Sequence, residues 1–294
     1  MNNYVLYGYG ESVASNVVRL ALAEKNIPYD YKLIYLESRG DHLKDDYKKL
    51  NPKTLLPTLT VNEKPISESI DIMRFIDNEH TDQGSTLFPK NQDEEFDNLL
   101  DYLFLDDTKE LGQTFGTTGG GISVPVLGKL LCKRSFFSVL WDYYKNHGVS
   151  KRKFIFVMVR FFGGPPPGLY EKMMYFLAKH LVYTENYLNH GKTYIYGNDY
   201  TAADCLLTPL LHRVNEMRFQ GVFDGSKFPN LSRYWDTISN RPSYKEAIIN
   251  YETGEWKPVL EDLYGDGPNL YNDLLWSEIC LLYTSDAADE SLRV

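Results

Sequence analysis

Cysteine is scarce in this chain: its 294 residues include three, and no two of them form a Cys-x-x-Cys pair. Such a sequence cannot build a disulfide framework, and low cysteine use is typical of a reducing compartment. The amino terminus also lacks a basic segment followed by an apolar one, the pattern of a secretion signal. We therefore expect a cytoplasmic location.

Long apolar runs are missing as well. The longest, residues 154–159, stops at Arg160 and is far shorter than the ~20 residues that a membrane-spanning helix needs. Acidic residues outnumber basic ones by 40 to 31, which disfavours indiscriminate binding to nucleic acid. The six histidines show no metal-ligand spacing, so we predict no metal site.

The sequence also lacks a complete phosphate-binding loop. Gly8 and Gly10 have no third glycine to make a dinucleotide-binding turn, and the run 116–121 is not followed by Gly-Lys-Ser/Thr. We interpret the run 116–121 as a flexible loop.

Hydrophobic periodicity is clear in the first eighty residues. Strand-like runs at 4–7 and 30–36 flank a helical pattern at 12–24, which predicts a βαβ unit. A polar helix at about 41–49 follows. A hairpin at 56–66 then leads into an amphipathic helix at 69–78. The predicted order is βαβ-α-ββα.

Three motifs in this segment resemble the thioredoxin-like amino-terminal domain of cytosolic glutathione transferases of the serine type. Ser12 stands seven residues before Arg19 at the start of the first helix. The second motif is residues 51–59, with Leu56-Pro57, and the third is residues 66–76. The resemblance implies an α+β fold class: a thioredoxin-like domain at residues 1–80, followed by an all-α helical bundle.

The resemblance also implies a role for each motif. Ser12, at a helix start with positive potential, would stabilise the thiolate of glutathione. Leu56, before a cis Pro57, would pair with the peptide backbone of glutathione. Glu68 would bind the ammonium group of the γ-glutamyl residue, and Ser69 would bind the carboxylate of that same residue. Lys53 is the candidate for binding the glycine carboxylate. Each motif taken alone also has a purely structural interpretation: Ser12 is then a helix cap, Leu56-Pro57-Thr58 is a turn, and Ser67-Glu68-Ser69 is another helix cap.

The rest of the chain is dominated by helical periodicity. A polar linker, 81–93, precedes an all-helical substrate domain at 94–250. Leucines 99, 100, 103 and 105 predict one helix, and leucines 177, 181 and 188 predict another. Thr201 and Asp204 form a capping box before a core helix, which we interpret as a folding element. The resemblance covers about residues 3–250, and residues 251–279 are predicted as a tail.

Residues 112–168 form an insertion longer than the usual connection in this family. Between 129 and 160 the chain carries eight basic residues and one acid, Asp142, a net charge of +7, interleaved with aromatic residues. One interpretation is an amphipathic helix pair packed on the core with a solvated basic face. The alternatives are the pocket wall for an anionic aromatic substrate, or a surface at 129–162 that touches an anionic membrane.

The end of the sequence, residues 280–294, looks like a translated sequencing adaptor. A back-translation of residues 280–290, with codons that degeneracy permits, reproduces such an adaptor. The alternative is a genuine acidic tail. On the adaptor interpretation the native chain continues differently after Ile279, and this segment is excluded from fold reasoning.

The function implied is glutathione transfer: a thiolate held by Ser12 attacks a hydrophobic electrophile, in conjugation or thiolytic ether cleavage. Long-insert relatives suggest reductive dehalogenase-like or β-etherase-like chemistry. Ala14 stands where dehalogenase-type members carry a second nucleophile, a cysteine, which favours conjugation or ether cleavage over thiol-disulfide chemistry. The expected partners are glutathione as co-substrate, the electrophile and a second copy in a homodimer, without metal or nucleic acid. The alternative is a non-catalytic binding or membrane-regulatory protein, similar to the ganglioside-induced differentiation-associated proteins, with a carboxy-terminal anchor.

Overall fold

The amino-terminal sheet has four strands. The computed structural model describes residues 2–189 and 191–291, with side chains described up to Thr284. The strands are β1 (Tyr4–Gly8), β2 (Asp30–Leu33), β3 (Thr58–Val61) and β4 (Lys64–Ser67). They lie in the order β2-β1-β3-β4, with β1 and β2 parallel and the other pairs antiparallel. This topology confirms the predicted thioredoxin-like order.

Three helices accompany the sheet: α1 (Val13–Glu24), α2 (Asp45–Leu50) and α3 (Ser69–Glu79). The helix predicted at 41–49 is divided, because Lys44 is extended (ψ 151°) and separates a 3-10 turn at Asp41–Leu43 from α2. Strand β2 ends three residues earlier than predicted. The chain after it folds back, and the Asp41 amide donates to the Tyr35 carbonyl at 2.9 Å.

The remainder of the described chain is helical, which confirms the predicted fold class. Its helices are α4 (Glu94–Leu103), α5 (Phe115–Ile122), α6 (Val124–Cys132), α7 (Phe136–Asn146), α8 (Ser150–Phe162), α9 (Leu169–Tyr187), α10 (Ala202–Glu216), α11 (Pro229–Ser239), α12 (Pro242–Ala247), α13 (Trp256–Tyr264) and α14 (Asn272–Ser291). A 3-10 turn, Ile249–Tyr251, follows α12.

The capping box before α10 is present. Asp204 is fully buried and accepts from the Thr201 amide at 2.8 Å, while its other oxygen accepts from the Ile195 amide and the Tyr234 hydroxyl. One carboxylate thus fixes the start of α10, the preceding loop and α11, as a folding element should.

The prediction of a flexible loop at 116–121 is wrong, because these residues belong to the buried helix α5. Thr114 and Thr117 cap the helix reciprocally. The glycines permit close packing: a Cβ on Gly116 would collide with the Phe104 carbonyl, and one on Gly121 with the Met173 sulfur. Helix-breaking composition is tolerated here because absent side chains let neighbouring chain segments approach.

The segment interpreted as a tail, residues 251–279, contains α13 and the first part of α14. Trp256, Leu275 and Ile279 are buried in the main core. Helix α14 continues to Ser291, and the adaptor interpretation of residues 280–294 stays a prediction. Within the described residues, no helix combines the length and apolar character that crossing a membrane requires.

Candidate active site

A cavity of about 540 Å³ lies between the sheet domain and the helices. Five of the six predicted site residues line it: Ser12, Leu56, Pro57, Glu68 and Ser69. The sixth, Lys53, stands outside the lining. Motifs separated by more than fifty residues are therefore brought to one place.

Ser12 is the N-cap of α1 and is half-buried at the cavity wall. Its Oγ accepts from the Ser15 amide at 3.2 Å. A capping hydroxyl uses an oxygen lone pair, so its own O–H stays able to donate to a second acceptor. The cap and the thiolate-stabilising role are consequently compatible in one side chain.

The loop before Ser12 is tied to the helical domain by Arg19. This fully buried guanidinium donates to the Tyr9 carbonyl at 3.2 Å, the Gly10 carbonyl at 2.6 Å and the carbonyl of Ala247, the last residue of α12, at 2.6 Å. It also lies over the Tyr251 ring, 4.6 Å from the centroid. The position of Ser12 therefore depends on how the two domains pack.

The peptide bond between Leu56 and Pro57 is cis, as the resemblance implied. Two side chains fix the loop: the Asn51 amide donates to the Leu55 carbonyl at 2.9 Å and to Thr58 Oγ1 at 3.2 Å. Tyr47 donates to the same carbonyl at 2.5 Å. The backbone at Leu56 is held rigidly beside the cavity.

Glu68 and Ser69 form the turn at the start of α3. Glu68 has a φ of 70°, an unusual backbone region for a residue with a side chain, and such strain collects at ligand-binding turns. Lys53 Nζ lies 2.7 Å from Glu68 Oε1, so the ion pair joins the two residues expected to bind opposite ends of glutathione.

Arg213 is a cavity residue that the sequence analysis missed. It donates to the Glu11 carbonyl and, at 3.1 Å, to Ser123 Oγ. Its Nε lies 3.2 Å from Glu216 Oε2, and its guanidinium stacks 3.8 Å from the Trp256 ring centroid. A lone cation in the apolar sequence of α10 is the signal that could have identified it.

Glu37 also lines the cavity and was missed. Its side chain is 5% exposed, and its Oε2 has no hydrogen-bond partner among the described residues. Burial raises the pKa of this carboxyl to about 7, against the opposing pull of Arg152 and Arg213, while Glu255 adds to the rise. Burial raises the pKa of both Tyr9 and Tyr143, and Glu37 adds to each rise. No sequence pattern marked this loop residue.

The insertion supplies one wall of the cavity. Helix α8 contributes the apolar lining residues Phe154, Ile155, Phe156, Met158 and Val159. Arg152, also in the wall, pairs with Asp107 after α4 at 2.6 Å. Helices α7 and α8 therefore do form a packed pair, and the second of them is at the same time a pocket wall.

The turn between α7 and α8 rests on the loop before Pro57. The Gly148 amide donates to Thr54 Oγ1 at 3.0 Å, and the space at its Cα is filled by the backbone of Pro52 and Lys53. Across the described residues, we find no cluster of three or more His, Cys, Asp or Glu side chains arranged to hold a metal ion.

Two family models match the chain. The model for the amino-terminal domain of glutathione S-transferases matches residues 12–79, and that for the carboxy-terminal domain matches residues 165–242. The insertion falls between the two matches.

Sequence relatives agree with these models. A maleylacetoacetate isomerase of Dictyostelium discoideum is 41% identical over 90 residues, which is 30% of this chain and 40% of that protein's length. A probable maleylacetoacetate isomerase of Caenorhabditis elegans is 25% identical over 83% of this chain and 92% of its own. The glutathione S-transferase TCHQD of Arabidopsis thaliana is 24% identical over 86% and 91%.

Solved structures show the same fold. The β-etherase LigF of Sphingobium sp. strain SYK-6 superimposes with a TM-score of 0.70 at 20% identity, covering 84% of this chain and 99% of that one. A bacterial maleyl pyruvate isomerase of the zeta class gives a TM-score of 0.59 at 19% identity, covering 85% and 99%. The matched domains, the relatives and the fold together place the chain in the glutathione S-transferase superfamily.

Proposed function

We propose that this protein is a glutathione transferase in which Ser12 stabilises the thiolate of bound glutathione. The observation that carries the proposal is that the Ser12 hydroxyl and the loop of Leu56 and Pro57 line one cavity with an apolar wall. Glutathione binds on the sheet side, and the hydrophobic electrophile binds against α8.

The sheet side suits each part of the peptide. The backbone of Leu56 pairs with the cysteinyl residue, and the amide of Ser69, at the start of α3, donates to the γ-glutamyl carboxylate. Glu68 takes the ammonium group, and Lys53 takes the glycine carboxylate. Binding then exchanges the ion pair between Lys53 and Glu68 for two pairs with the ligand.

The reaction is attack of the glutathione sulfur on an electrophilic carbon. In conjugation the sulfur adds to an unsaturated substrate. In ether cleavage a C–O bond breaks, and its electron pair leaves with the oxygen. The similar proteins include a β-etherase, a probable maleylacetoacetate isomerase and a maleyl pyruvate isomerase, which supports a panel of ether-linked and unsaturated probes.

Glu37 supplies the proton that either reaction needs. In ether cleavage the carboxyl proton moves to the departing oxygen. When the sulfur adds to an unsaturated substrate, the proton moves instead to the carbanion or enolate that forms. The carboxylate left behind regains a proton from water. This role is supported by the burial of Glu37, the unpartnered oxygen and the raised pKa.

The experiment that tests the function is titration of the thiol of bound glutathione by ultraviolet difference spectroscopy. We expect its pKa to rise in Ser12→Ala and to recover in Ser12→Thr, which keeps the hydroxyl. An unchanged thiol pKa in Ser12→Ala, with glutathione still bound, contradicts the role of Ser12.

The non-catalytic alternative has no support in the comparisons. Calorimetry separates the two hypotheses, because a transferase binds glutathione and a protein that had lost this site would not. The superfamily also supports a cytoplasmic homodimer, which fractionation and sedimentation equilibrium would test.

A further inference from the structure

The outer side of the insertion carries an unusual number of exposed aromatic side chains. Of the fourteen large apolar side chains exposed in the described part of the chain, eight lie between 137 and 162. We define the outer patch as four of them that do not line the cavity and lie on the exposed sides of α7 and the end of α8: Phe137, Trp141, Tyr144 and Phe161. Phe137 and Tyr144 are each more than 70% exposed.

Helical spacing explains why the patch points outward. Phe137, Trp141 and Tyr144 follow one stripe of α7, while Val139 and Tyr143 on the opposite stripe are buried against Val159 of α8. The pair therefore packs without using the patch. At one end, Phe136 contacts both Phe137 and Phe161, so the two helices present a continuous apolar surface.

The charge around the patch is positive. Lys133 and Lys145 are exposed and, like Lys153, form no ion pair with any described residue. Asp142 is the one acid between 129 and 160, and it pairs with Arg134. The segment carries +7 in a chain of net charge −9, which leaves −16 on the remainder.

Three occupants could cover such a surface, and the charges separate them. A second copy across a two-fold axis would bring +7 against +7. A nucleic acid would use the lysines but would leave much of the apolar surface of the helices exposed. An anionic lipid surface can bind both the lysines and the aromatic side chains, because aromatic rings lie at the level of the headgroups while lysines reach the phosphates.

We propose that the outer patch binds the surface of an anionic lipid bilayer. The uneven charge orients the molecule, since the acidic remainder is repelled by the same surface that attracts the insertion. Lys145 lies 5.3 Å over the Trp141 ring, so charge and aromatic surface occur together at the centre of α7. Binding rests on these exposed residues and is independent of the glutathione reaction.

Vesicle flotation with the full chain tests the proposal. The probes are phosphatidylcholine vesicles, alone or with about a third phosphatidylserine, at low salt and at about 0.5 M salt. One variant combines Phe137→Ser, Trp141→Ser and Tyr144→Ser, and another combines Lys133→Glu and Lys145→Glu. The matched controls are Tyr175→Ser on α9 and the pair Lys49→Glu and Lys245→Glu, all exposed and outside the insertion.

We expect binding to the anionic vesicles that falls in high salt, and a decrease of about tenfold or more in each insertion variant. The controls should stay within about twofold of wild type. The proposal is overturned by absence of binding to anionic vesicles, or by equal binding in the insertion variants. It is also overturned if the patch variants only abolish self-association, or if RNA binds and vesicles do not.

Discussion

The backbone amide of Gly148 donates to Thr54 Oγ1 at 3.0 Å, and this bond joins the tip of the insertion to the loop that leads into the cis Pro57. Thr54 is itself buried. The insertion is therefore part of the support of the proposed glutathione site, although its sequence lies some ninety residues away.

Gly148→Ala should loosen this junction. The added Cβ would lie 2.7 Å from the Lys53 carbonyl carbon and closer still to the Pro52 oxygen, so the turn must move. We expect a loss of about 1–3 kcal/mol in the free energy of unfolding and a higher KM for glutathione. Urea unfolding and steady-state kinetics measure both. Gly197→Ala, where nothing lies near the added Cβ, is the control, and equal effects in both variants would contradict the role of the junction.

Glu37→Gln should change how stability depends on pH. Because the folded pKa of about 7 exceeds the ordinary 4.5, the unfolded chain releases this proton first, and the wild type loses stability as pH rises between these values. The glutamine variant escapes this loss. Its stability relative to wild type should increase by up to about 3 kcal/mol between pH 4.5 and pH 8.

Urea unfolding of Glu37→Gln and of the wild type across this pH range measures the difference in their free energies of unfolding. The exposed Glu63→Gln serves as a control that should show no such trend. Parallel curves for Glu37→Gln and wild type would show that the carboxyl titrates normally. If Glu37 donates the proton, kcat/KM of the wild type should decline above about pH 7, the pKa of this carboxyl. Glu37→Gln should lose this decline together with most of the activity.

Arg213→Lys should destabilise the fold although the charge is kept. The lysine cannot bond the Glu11 carbonyl and Ser123 together or stack on Trp256 as the planar guanidinium does. We expect a cost of about 2–4 kcal/mol, since Glu216, whose side chain is only 13% exposed, would be left beside a displaced cation. Denaturant titration measures it. The exposed Arg233→Lys should cost under about 1 kcal/mol, and a similar cost in both would refute the special role of Arg213.

Lys53→Met should affect binding far more than stability. The pair with Glu68 is exposed and contributes about 0–1 kcal/mol to folding. If Lys53 binds the glycine carboxylate, the variant should bind glutathione about fivefold more weakly but bind γ-glutamylcysteine, which lacks that group, as well as wild type does. Calorimetry with both peptides decides this, and equal weakening for the two would contradict the assignment. Glu68→Gln should weaken both.

The amino-terminal fold was predictable because its information is local. Alternating strands, the cap at Ser12 and the turn at Glu68 are each signalled within a few residues. The cavity is not, since Glu37, Arg213 and Trp256 come from distant segments and meet through packing. The prediction of a flexible loop at 116–121 was wrong for the same reason. The glycines of this run allow close packing against Phe104 and Met173, which no pattern along the chain reveals.

Helix α8 has thirteen residues, and nearly every side of it packs against a neighbour, lines the cavity or belongs to the outer patch. Val159 packs against α7, Ile155 and Met158 face the cavity, Arg152 holds the chain after α4, and Phe161 belongs to the outer patch. A mutation that adapts the helix to a new substrate will usually disturb its neighbours or its outer surface too. Selection should therefore alter α8 slowly and in compensating steps.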